Sequence, residues 1–231
     1  MQTSFQNNFT FTGKSPLIIN LKNVRKTFFK EFKEVQSPSK FEFISLNRKL
    51  TDDEVANLQE LKNKLKFIRK FSESFFEEGG LFEVFRGLIG CVKAFKVGNC
   101  AEFAEIGKTM LKMNNIKNCD IFTLHAKDKY GKIRSLDHTI IALNTPKTLN
   151  NKYSKVQGKY FKPLKDTKIL DLWLDGFIGN VQQTSKIYQK IGLMPEETLL
   201  FKTEKTYEPD VQTLKKLRET YPKLVFKQIN S

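Results

Sequence analysis

The stretch Val97-Gly98-Asn99-Cys100-Ala101-Glu102-Phe103-Ala104 places a cysteine directly after a Gly-Asn break, at the expected first turn of a helix. Glycine commonly follows the end of a helix and asparagine is a preferred N-cap, so this pair separates one helix from the next. The new helix has an apolar face that we expect to pack on the core. That face carries Cys100, Phe103, Ala104, Gly107 and Leu111. We expect the rest of the fold to be arranged around this helix.

Helices are predicted on the N-terminal side of the break. Thr51-Asp52-Asp53-Glu54 has the spacing of a capping box, and apolar residues follow it at three- and four-residue steps to near Phe76. A second helix is predicted from Leu81 to about Lys96, after two glycines, and the Cys100 helix is expected to end near Asn114. Earlier in the chain, residues 17–21 are typical of a strand. The basic, Phe-rich stretch 25–33 is more typical of buried core than of a membrane contact.

After this helix, the spacing of the apolar residues changes from the repeat of a helix to that of a strand. Residues 120–126 and 137–143 are predicted strands, joined by a turn at 127–131, which makes an antiparallel hairpin the simplest inference. On the second strand His138, Ile140 and Ala142 share a face. A further short strand is predicted at 169–173, and two amphipathic helices at 180–191 and 209–220.

These elements predict an α+β fold in which the Cys100 helix packs on an antiparallel sheet beside an N-terminal helical subdomain. The 231 residues are expected to form one domain. Its parts are a helical N-terminal part (1–96), a catalytic core (97–175) and a helical C-terminal part (176–231). An apolar run lies close to the end of the sequence, and we expect the chain to be a piece of a longer one.

The composition narrows the classes of partner and cofactor. Forty basic residues against 25 acidic give a formal charge of +15, which favours acidic partners. Nucleic-acid binding is disfavoured because no groove-reading helix, zinc finger or RNP motif accompanies the charge. We expect no Sec leader, no membrane association, and no metal or other cofactor. Cys91, Cys100 and Cys119 form no CxxC pair, so neither a disulfide framework nor a zinc site is predicted.

Three residues are candidates for acyl-transfer chemistry. A cysteine attacks as its thiolate, and the N–H groups at a helix start favour an anion at Cys100. His138 is the predicted base and Asp171 the acid that orients its ring, with His125 as an alternative base and Asp175 and Asp137 as reserve acids. Cys91 and Cys119 are expected to be ordinary core residues.

Other residues are predicted to contact the substrate. The Asn99 amide, with the backbone N–H of Cys100, is the predicted oxyanion hole. A lysine-rich loop follows the hairpin, and such a loop is by default a solvated surface. Its functional interpretation is a docking site for an acidic protein, through Lys152, Lys155, Lys159 and Lys162.

The order cysteine helix, histidine strand, aspartate strand resembles the papain-like and transglutaminase-like thiol enzymes. The resemblance is carried by the Gly-Asn-Cys helix start, by Asp137-His138-Thr139-Ile140-Ile141 and by Ile169-Leu170-Asp171-Leu172-Trp173. It covers about residues 97–175. It departs from the usual pattern in the long, lysine-rich gap before Asp171.

Within that superfamily, these motifs most resemble those of bacterial effector members, among them glutamine deamidases and crosslinking enzymes. The resemblance implies a monomeric enzyme that modifies glutamine side chains of an acidic host protein, with a cognate regulatory protein as a further partner. It implies delivery into the host cytosol by a non-Sec route, the alternative being a cytoplasmic protein. Two alternatives for the function stay open. One is a papain-like protease, and the other is a non-enzymatic basic adaptor that binds acidic protein or lipid.

Overall fold

The computed structural model describes residues 15–45, 48–78, 80–145, 160–193, 198–203 and 208–226. The helices are α1 (Pro16–Glu31), α2 (Pro38–Ser45), α3 (Asp52–Glu78), α4 (Gly80–Phe95), α5 (Cys100–Met113), α6 (Val181–Lys190) and α7 (Val211–Thr220). The strands are β1 (Cys119–Lys127), β2 (Ile133–Leu143), β3 (Tyr160–Phe161), β4 (Lys168–Asp171), β5 (Phe177–Asn180) and β6 (Thr198–Thr203). A short 3-10 turn at Pro222–Leu224 follows α7.

The described strands form one six-stranded sheet in the order β3-β6-β1-β2-β4-β5, and every neighbouring pair is antiparallel. The predicted α+β class with an antiparallel sheet is therefore confirmed. The β1–β2 hairpin is also confirmed. Its turn is closed by the Asp128 carboxylate, which accepts hydrogen bonds from the backbone N–H groups of Tyr130 and Lys132, both at 2.9 Å.

The strand predicted at residues 17–21 is wrong, because these residues lie inside α1. A short apolar run fits a buried helix as well as a strand, and the three- and four-residue spacing of the buried residues that follow decides for the helix. Those residues are Ile18, Leu21, Val24 and Phe28. Phe28 and Phe32 are buried in the core, as the sequence indicated for the Phe-rich stretch.

The capping box at the start of α3 is confirmed. The Thr51 N–H donates to Glu54 Oε2 at 3.0 Å, and the Glu54 N–H donates to Thr51 Oγ1 at 3.3 Å. Among the α3 side chains that the structure describes, the apolar stripe is buried at Leu61, Leu65 and Ile68. At its two ends Val55 and Phe71 are exposed, so the packed part of this helix is shorter than the pattern predicts.

The prediction that residues 176–231 are helical is wrong in one respect. Helices α6 and α7 lie where they were expected, but the same part of the chain also supplies β5 and β6. β6 inserts between β3 and β1, and β5 forms one edge of the sheet. The strand expected at 169–173 ends at Asp171, and the chain turns from Leu172 to Gly176.

Each face of the sheet packs against helices. One face contributes Ile121, Ile141, Leu143 and Leu170 to the larger core, which it shares with the N-terminal helices, α5 and α7. The opposite face contributes Phe122, Ile140, Ala142 and Phe201 to a smaller core, which is covered by Ile187 and Tyr188 of α6. The sheet thus lies between α5 and α6, and α5 is held against β2 and β1.

α5 approaches the sheet closely at Gly107. A Cβ atom at this position would lie 2.5 Å from Leu172 Cδ1 and 2.6 Å from Ile141 Cδ1. Both neighbours are buried, so neither side chain has room to move away. The absence of a side chain at residue 107 therefore sets how near the Cys100 helix comes to β2.

We expect Gly107→Ala to lower the free energy of unfolding by about 1 kcal/mol or more, because overpacking outweighs the gain in helix propensity. The matched control is Gly90→Ala in α4, where a Cβ would meet only the Tyr221 hydroxyl, at 3.8 Å. That variant should gain up to about 1 kcal/mol. Urea unfolding of both variants measures the two effects, and equal signs would contradict the close-approach interpretation.

Candidate active site

A bulge in β2 positions His138. Thr123 pairs with Thr139 and His125 pairs with Ser135, so three β2 residues, 136–138, stand opposite a single β1 residue. The backbone of Asp137 lies in the left-handed region, with φ 49°. Bulges bend a strand and redirect the side chains beside it. The His138 ring is consequently directed to the end of β4, next to the start of α5.

The structure brings together the three residues that the sequence singled out. His138 Nε2 lies 2.7 Å from Asp171 Oδ2. The Cys100 side chain lies close enough to the His138 ring to raise the pKa of the imidazole, and Cys100 Sγ lies 4.0 Å from the Asp137 carbonyl oxygen. Because Asp171 occupies Nε2, Nδ1 is the ring nitrogen that faces proton exchange with the thiol. Cys100 is half-buried, whereas His138 and Asp171 are buried, so Cys100 is the most exposed of the three residues.

Tyr188 of α6 is a fourth member of this group that sequence reasoning missed. Its hydroxyl lies 2.7 Å from Asp171 Oδ2, and the Leu174 N–H donates to Asp171 Oδ1 at 3.0 Å. Burial, together with the charge of Asp171, raises the pKa of Tyr188 well above its usual value, so the phenol stays neutral and donates. The only signal in the sequence was the place of Tyr188 on the apolar face of a predicted helix.

The charges of the buried pair support each other. Burial lowers the pKa of His138, but the Asp171 carboxylate and the Cys100 sulfur outweigh burial, and the net shift is upward. Burial raises the pKa of Asp171, but His138, Tyr188 and the Leu174 N–H outweigh it, and the net shift is downward. The pair is therefore an imidazolium and a carboxylate at neutral pH.

Asn99 is fixed by residues far away in the sequence. Its Oδ1 accepts hydrogen bonds from Ser37 Oγ at 2.8 Å, from the Ser39 N–H at 3.1 Å and from Ser39 Oγ at 3.0 Å. A backbone N–H can only donate, so the atom that faces Ser39 is the amide oxygen and the other end is Nδ2. The Asn99 amide is thus a positioned donor next to Cys100, and its role in an oxyanion hole stays a prediction.

Residues 36–40, here called the 36–40 segment, hold the nucleophile loop in place. The Gln36 N–H donates to the Lys96 carbonyl at 2.8 Å, and the Gly98 N–H donates to the Gln36 carbonyl at 3.0 Å. Gln36 also forms a parallel bridge with Val97. The N-terminal region, for which the sequence predicted no role, therefore orders the residues that precede Cys100.

The same segment holds Trp173 over the histidine. The Trp173 indole N–H donates to Ser39 Oγ at 2.8 Å and to Ser37 Oγ at 3.1 Å. The indole packs edge-on against the His138 ring, with the ring centroids 5.0 Å apart. Trp173 is buried, and it covers one side of the imidazole.

Glu102 completes the start of α5. Its Oε2 accepts the Asn99 N–H at 3.0 Å, and its negative charge complements the N-terminus of the helix. Arg69 of α3 donates to Glu102 through Nε, at 2.7 Å. Sequence reasoning missed Arg69, whose pairing with Glu102 raises the pKa of its guanidinium and fixes a cation at the start of α5.

The reserve residues do not join the site in the described part of the chain. Asp175 is exposed and forms an ion pair with Lys40 at 2.8 Å. The Asp137 side chain is exposed too, and this residue contributes its carbonyl oxygen instead. His125 is buried and packs edge-on against Tyr160 of β3, with the ring centroids 4.8 Å apart, toward the other edge of the sheet.

The structure describes only one of the four predicted docking lysines, Lys162. Lys152, Lys155 and Lys159 lie outside the residues that the structure describes. Lys162 is exposed directly after β3, and three strands lie between β3 and β4 in the sheet. Lys162 therefore lies toward the opposite edge from Asp171, and a docking role for these lysines stays a prediction.

The described residues contain neither a metal-binding cluster nor a helix that could span a membrane. No group of three or more His, Cys, Asp or Glu side chains in residues 15–45, 48–78, 80–145, 160–193, 198–203 and 208–226 is placed to hold a metal ion. Within the same ranges, no helix combines the length and the apolarity needed to cross a bilayer.

We expect Cys100 to be alkylated by iodoacetamide roughly tenfold or more faster than the other two cysteines. Cys91 and Cys119 are buried, and burial raises the pKa of both thiols, that of Cys119 to about 12. Peptide mapping by mass spectrometry measures each rate, and His138→Ala should slow Cys100 alone. Equal rates for all three in the folded protein, as expected of the unfolded chain, would contradict the site.

We expect Asp171→Asn to lower stability in a pH-dependent way. The His138 pKa rises on folding from 6.5 to about 10, so its contribution is complete below pH 6.5 and lost as the pH rises toward 10. The Asp171 pKa falls below 3.8, so its contribution is present above pH 3.8 and lost on acidification. The wild type's advantage over Asp171→Asn should therefore be largest between pH 3.8 and 6.5.

Urea unfolding at a series of pH values measures this difference in the free energy of unfolding. The control is Asp175→Asn, because Asp175 is an exposed acid in a surface ion pair and should matter little. A wild-type advantage over Asp171→Asn that stays constant up to pH 10 would show that the buried pair is not charged.

Comparison with known proteins identifies no relative of this chain. No protein-family model, no curated protein and no solved structure matches the chain. A function for this protein therefore has to follow from the geometry of its own side chains.

Proposed function

We propose that this protein is a thiol acyl-transfer enzyme that acts on glutamine side chains of proteins, as a deamidase or a transglutaminase. The observation that carries the proposal is the meeting of Cys100, His138 and Asp171, which come from a helix and two strands of distant sequence. A half-exposed thiol, a buried imidazole and a buried carboxylate in this order are the parts that nucleophilic acyl transfer needs.

The proposed reaction has two steps. The Cys100 thiolate attacks the carboxamide carbon of a glutamine, the C–N bond breaks, and ammonia leaves with the proton that His138 gives up. A thioester at Cys100 remains. Water or a lysine amine then attacks the thioester carbon and gives a proton to His138, and the thiolate is released. Water yields glutamate, and lysine yields a crosslink between two chains.

The surrounding residues have supporting roles in this scheme. Asp171, held by Tyr188 and the Leu174 N–H, keeps the His138 ring in one orientation and balances its charge. The Asn99 Nδ2 and the Cys100 backbone N–H stabilise the negative oxygen of the tetrahedral intermediate. Trp173 keeps water from one side of the imidazole, where it would weaken the pair.

The choice of a glutamine side chain rests on the resemblance to transglutaminase-like enzymes, together with the α5 helix packed on an antiparallel sheet. A papain/transglutaminase-like fold is part of the same proposal. Peptide hydrolysis is the second candidate, because the same three groups also cleave a backbone amide. A purely adaptor role is disfavoured because a buried ion pair costs desolvation energy that such a role does not require.

We propose a translocated bacterial effector as the biological setting, delivered into the host cytosol by a non-Sec route and acting as a monomer on an acidic host protein. The formal charge of +15 supports an acidic partner, since it speeds encounter with one. A cognate regulatory protein belongs to the same proposal, and a cytoplasmic enzyme remains the alternative setting.

The mass of a substrate tests the reaction. We expect glutamine peptides to gain about 1 Da, or to join a lysine peptide with the loss of about 17 Da from the summed mass. Intact-mass spectrometry measures both changes, and Cys100→Ala and His138→Ala should abolish them. The matched control is Cys91→Ala, which removes a buried thiol of α4 that has no part in the proposed reaction and should keep activity. Clean backbone cleavage instead would support hydrolysis and contradict the glutamine proposal.

A further inference from the structure

β2 is much longer than the strand beside it. β2 runs from Ile133 to Leu143, but β4 pairs only with residues 141–143, and the chain leaves the sheet just after Asp171. On the β4 side, no strand of the described chain pairs with residues 133–137. Ile133, Ser135 and Asp137 are exposed there. We call residues 133–137 the β2 edge.

The backbone of the β2 edge presents hydrogen-bonding groups outward. The Asp128 N–H donates to the Lys132 carbonyl at 3.0 Å, which makes this a hydrogen-bonded pair of the hairpin. Such pairs alternate along an antiparallel ladder, so residue 134 bonds to β1 while Ile133 and Ser135 direct their N–H and C=O groups away from it. A row of outward-facing groups of this kind is a template for a further strand.

The β2 edge leads directly to the nucleophile. Ser135 Oγ accepts the Asp137 N–H at 3.0 Å, which holds the bulge, and the Asp137 carbonyl lies 4.0 Å from Cys100 Sγ. An extended chain that pairs with residues 133 and 135 therefore arrives at the sulfur within a few residues, because a strand advances about 3.3 Å per residue.

The charge around the β2 edge favours an acidic occupant. The hairpin end that forms it carries four cations against the single acid Asp128, and these cations are Lys127, Lys129, Lys132 and Arg134. Arg69 adds a cation at the start of α5, where it pairs with Glu102. Asp137 is the only acid among residues 133–137. Complementary charges speed the encounter and fix the register of a bound segment.

We propose that the β2 edge binds an extended, acidic segment of the protein substrate by adding it as a strand to the sheet. The segment's backbone pairs with Ile133 and Ser135, and one of its side chains reaches Cys100. Backbone pairing supplies affinity in this mode, whereas side chains supply selectivity. The delivery to Cys100 rests on the proposed function, but the binding of an extended acidic segment does not.

The first test measures binding without chemistry. Cys100→Ala protein is titrated into a fluorescent linear peptide that contains one glutamine among several glutamates, and anisotropy reports binding. A set of peptides, each N-methylated at one backbone nitrogen, then probes the pairing. We expect affinity to fall about fivefold or more at every second position and little between, since each lost hydrogen bond costs roughly 1 kcal/mol. An even effect at all positions would overturn strand addition.

The second test changes the protein. Ile133→Pro removes an outward N–H that takes no part in the β1 ladder, and prolines are tolerated on such edges. We expect Ile133→Pro to weaken peptide binding about fivefold or more while Ile133→Ala, which keeps the N–H, weakens it less. A lysine peptide of the same length should bind more weakly than the glutamate peptide. Unchanged binding of the glutamate peptide to Ile133→Pro would overturn the proposal.

These outcomes separate the two proposals. If peptide binding shows the alternating pattern but the wild type causes no mass change in the peptide, the proposed role of the β2 edge is supported and the glutamine reaction is contradicted. Turnover that is unaffected by N-methylation of the peptide and by Ile133→Pro would support the proposed enzyme activity and contradict the proposed role of the β2 edge. Sedimentation of the protein alone tests for another occupant of the β2 edge. A wild-type dimer that is monomeric in the Ile133→Pro variant would assign the β2 edge to a second copy of this chain.

Discussion

The buried contact between His138 and Asp171 is the interaction on which the described site depends. Two groups that are charged at neutral pH lie within 2.7 Å of each other, almost fully removed from water. Neither charge is tolerable there without the other, because removing one partner leaves an unpaired buried charge. Tyr188, the Leu174 N–H and Trp173 therefore surround the pair with donors and with apolar cover. Cys100 is the most exposed of the three residues.

The position of that sulfur is determined by segments far from it in sequence. The 36–40 segment hydrogen-bonds to Asn99 and to the backbone before it. Arg69 pairs with Glu102, which caps the start of α5. Gly107 lets α5 lie close against Ile141 of β2 and Leu172 of the turn after β4. The N-terminal helices are consequently part of the site, although they carry none of its reacting atoms, and a change in their packing displaces the nucleophile.

The sequence predicted the three central residues because each breaks its local pattern. Cys100 follows a Gly-Asn break, and His138 and Asp171 are polar residues inside short apolar runs. The segments 17–21, 177–180 and 198–203 carried no such signal, since a short apolar run fits either a helix or a strand until its partners are known. Tyr188, Arg69 and Ser37 were missed for a related reason. Their roles arise from contacts between residues distant in sequence, which periodicity does not contain.

One mismatch of strand lengths accounts for both the site and the surface beside it. Because β4 ends at Asp171 while β2 continues to Ile133, the last carboxylate of the short strand meets an imidazole partway along the long one. A β4 that continued alongside β2 would place a strand where the Cys100 sulfur approaches the Asp137 carbonyl. The early end of β4 thus opens the space that the nucleophile occupies and, by the same geometry, leaves the backbone of residues 133–137 without a described strand beside it on that side. The proposed nucleophile and the proposed strand-binding edge therefore both follow from a single break in the sheet.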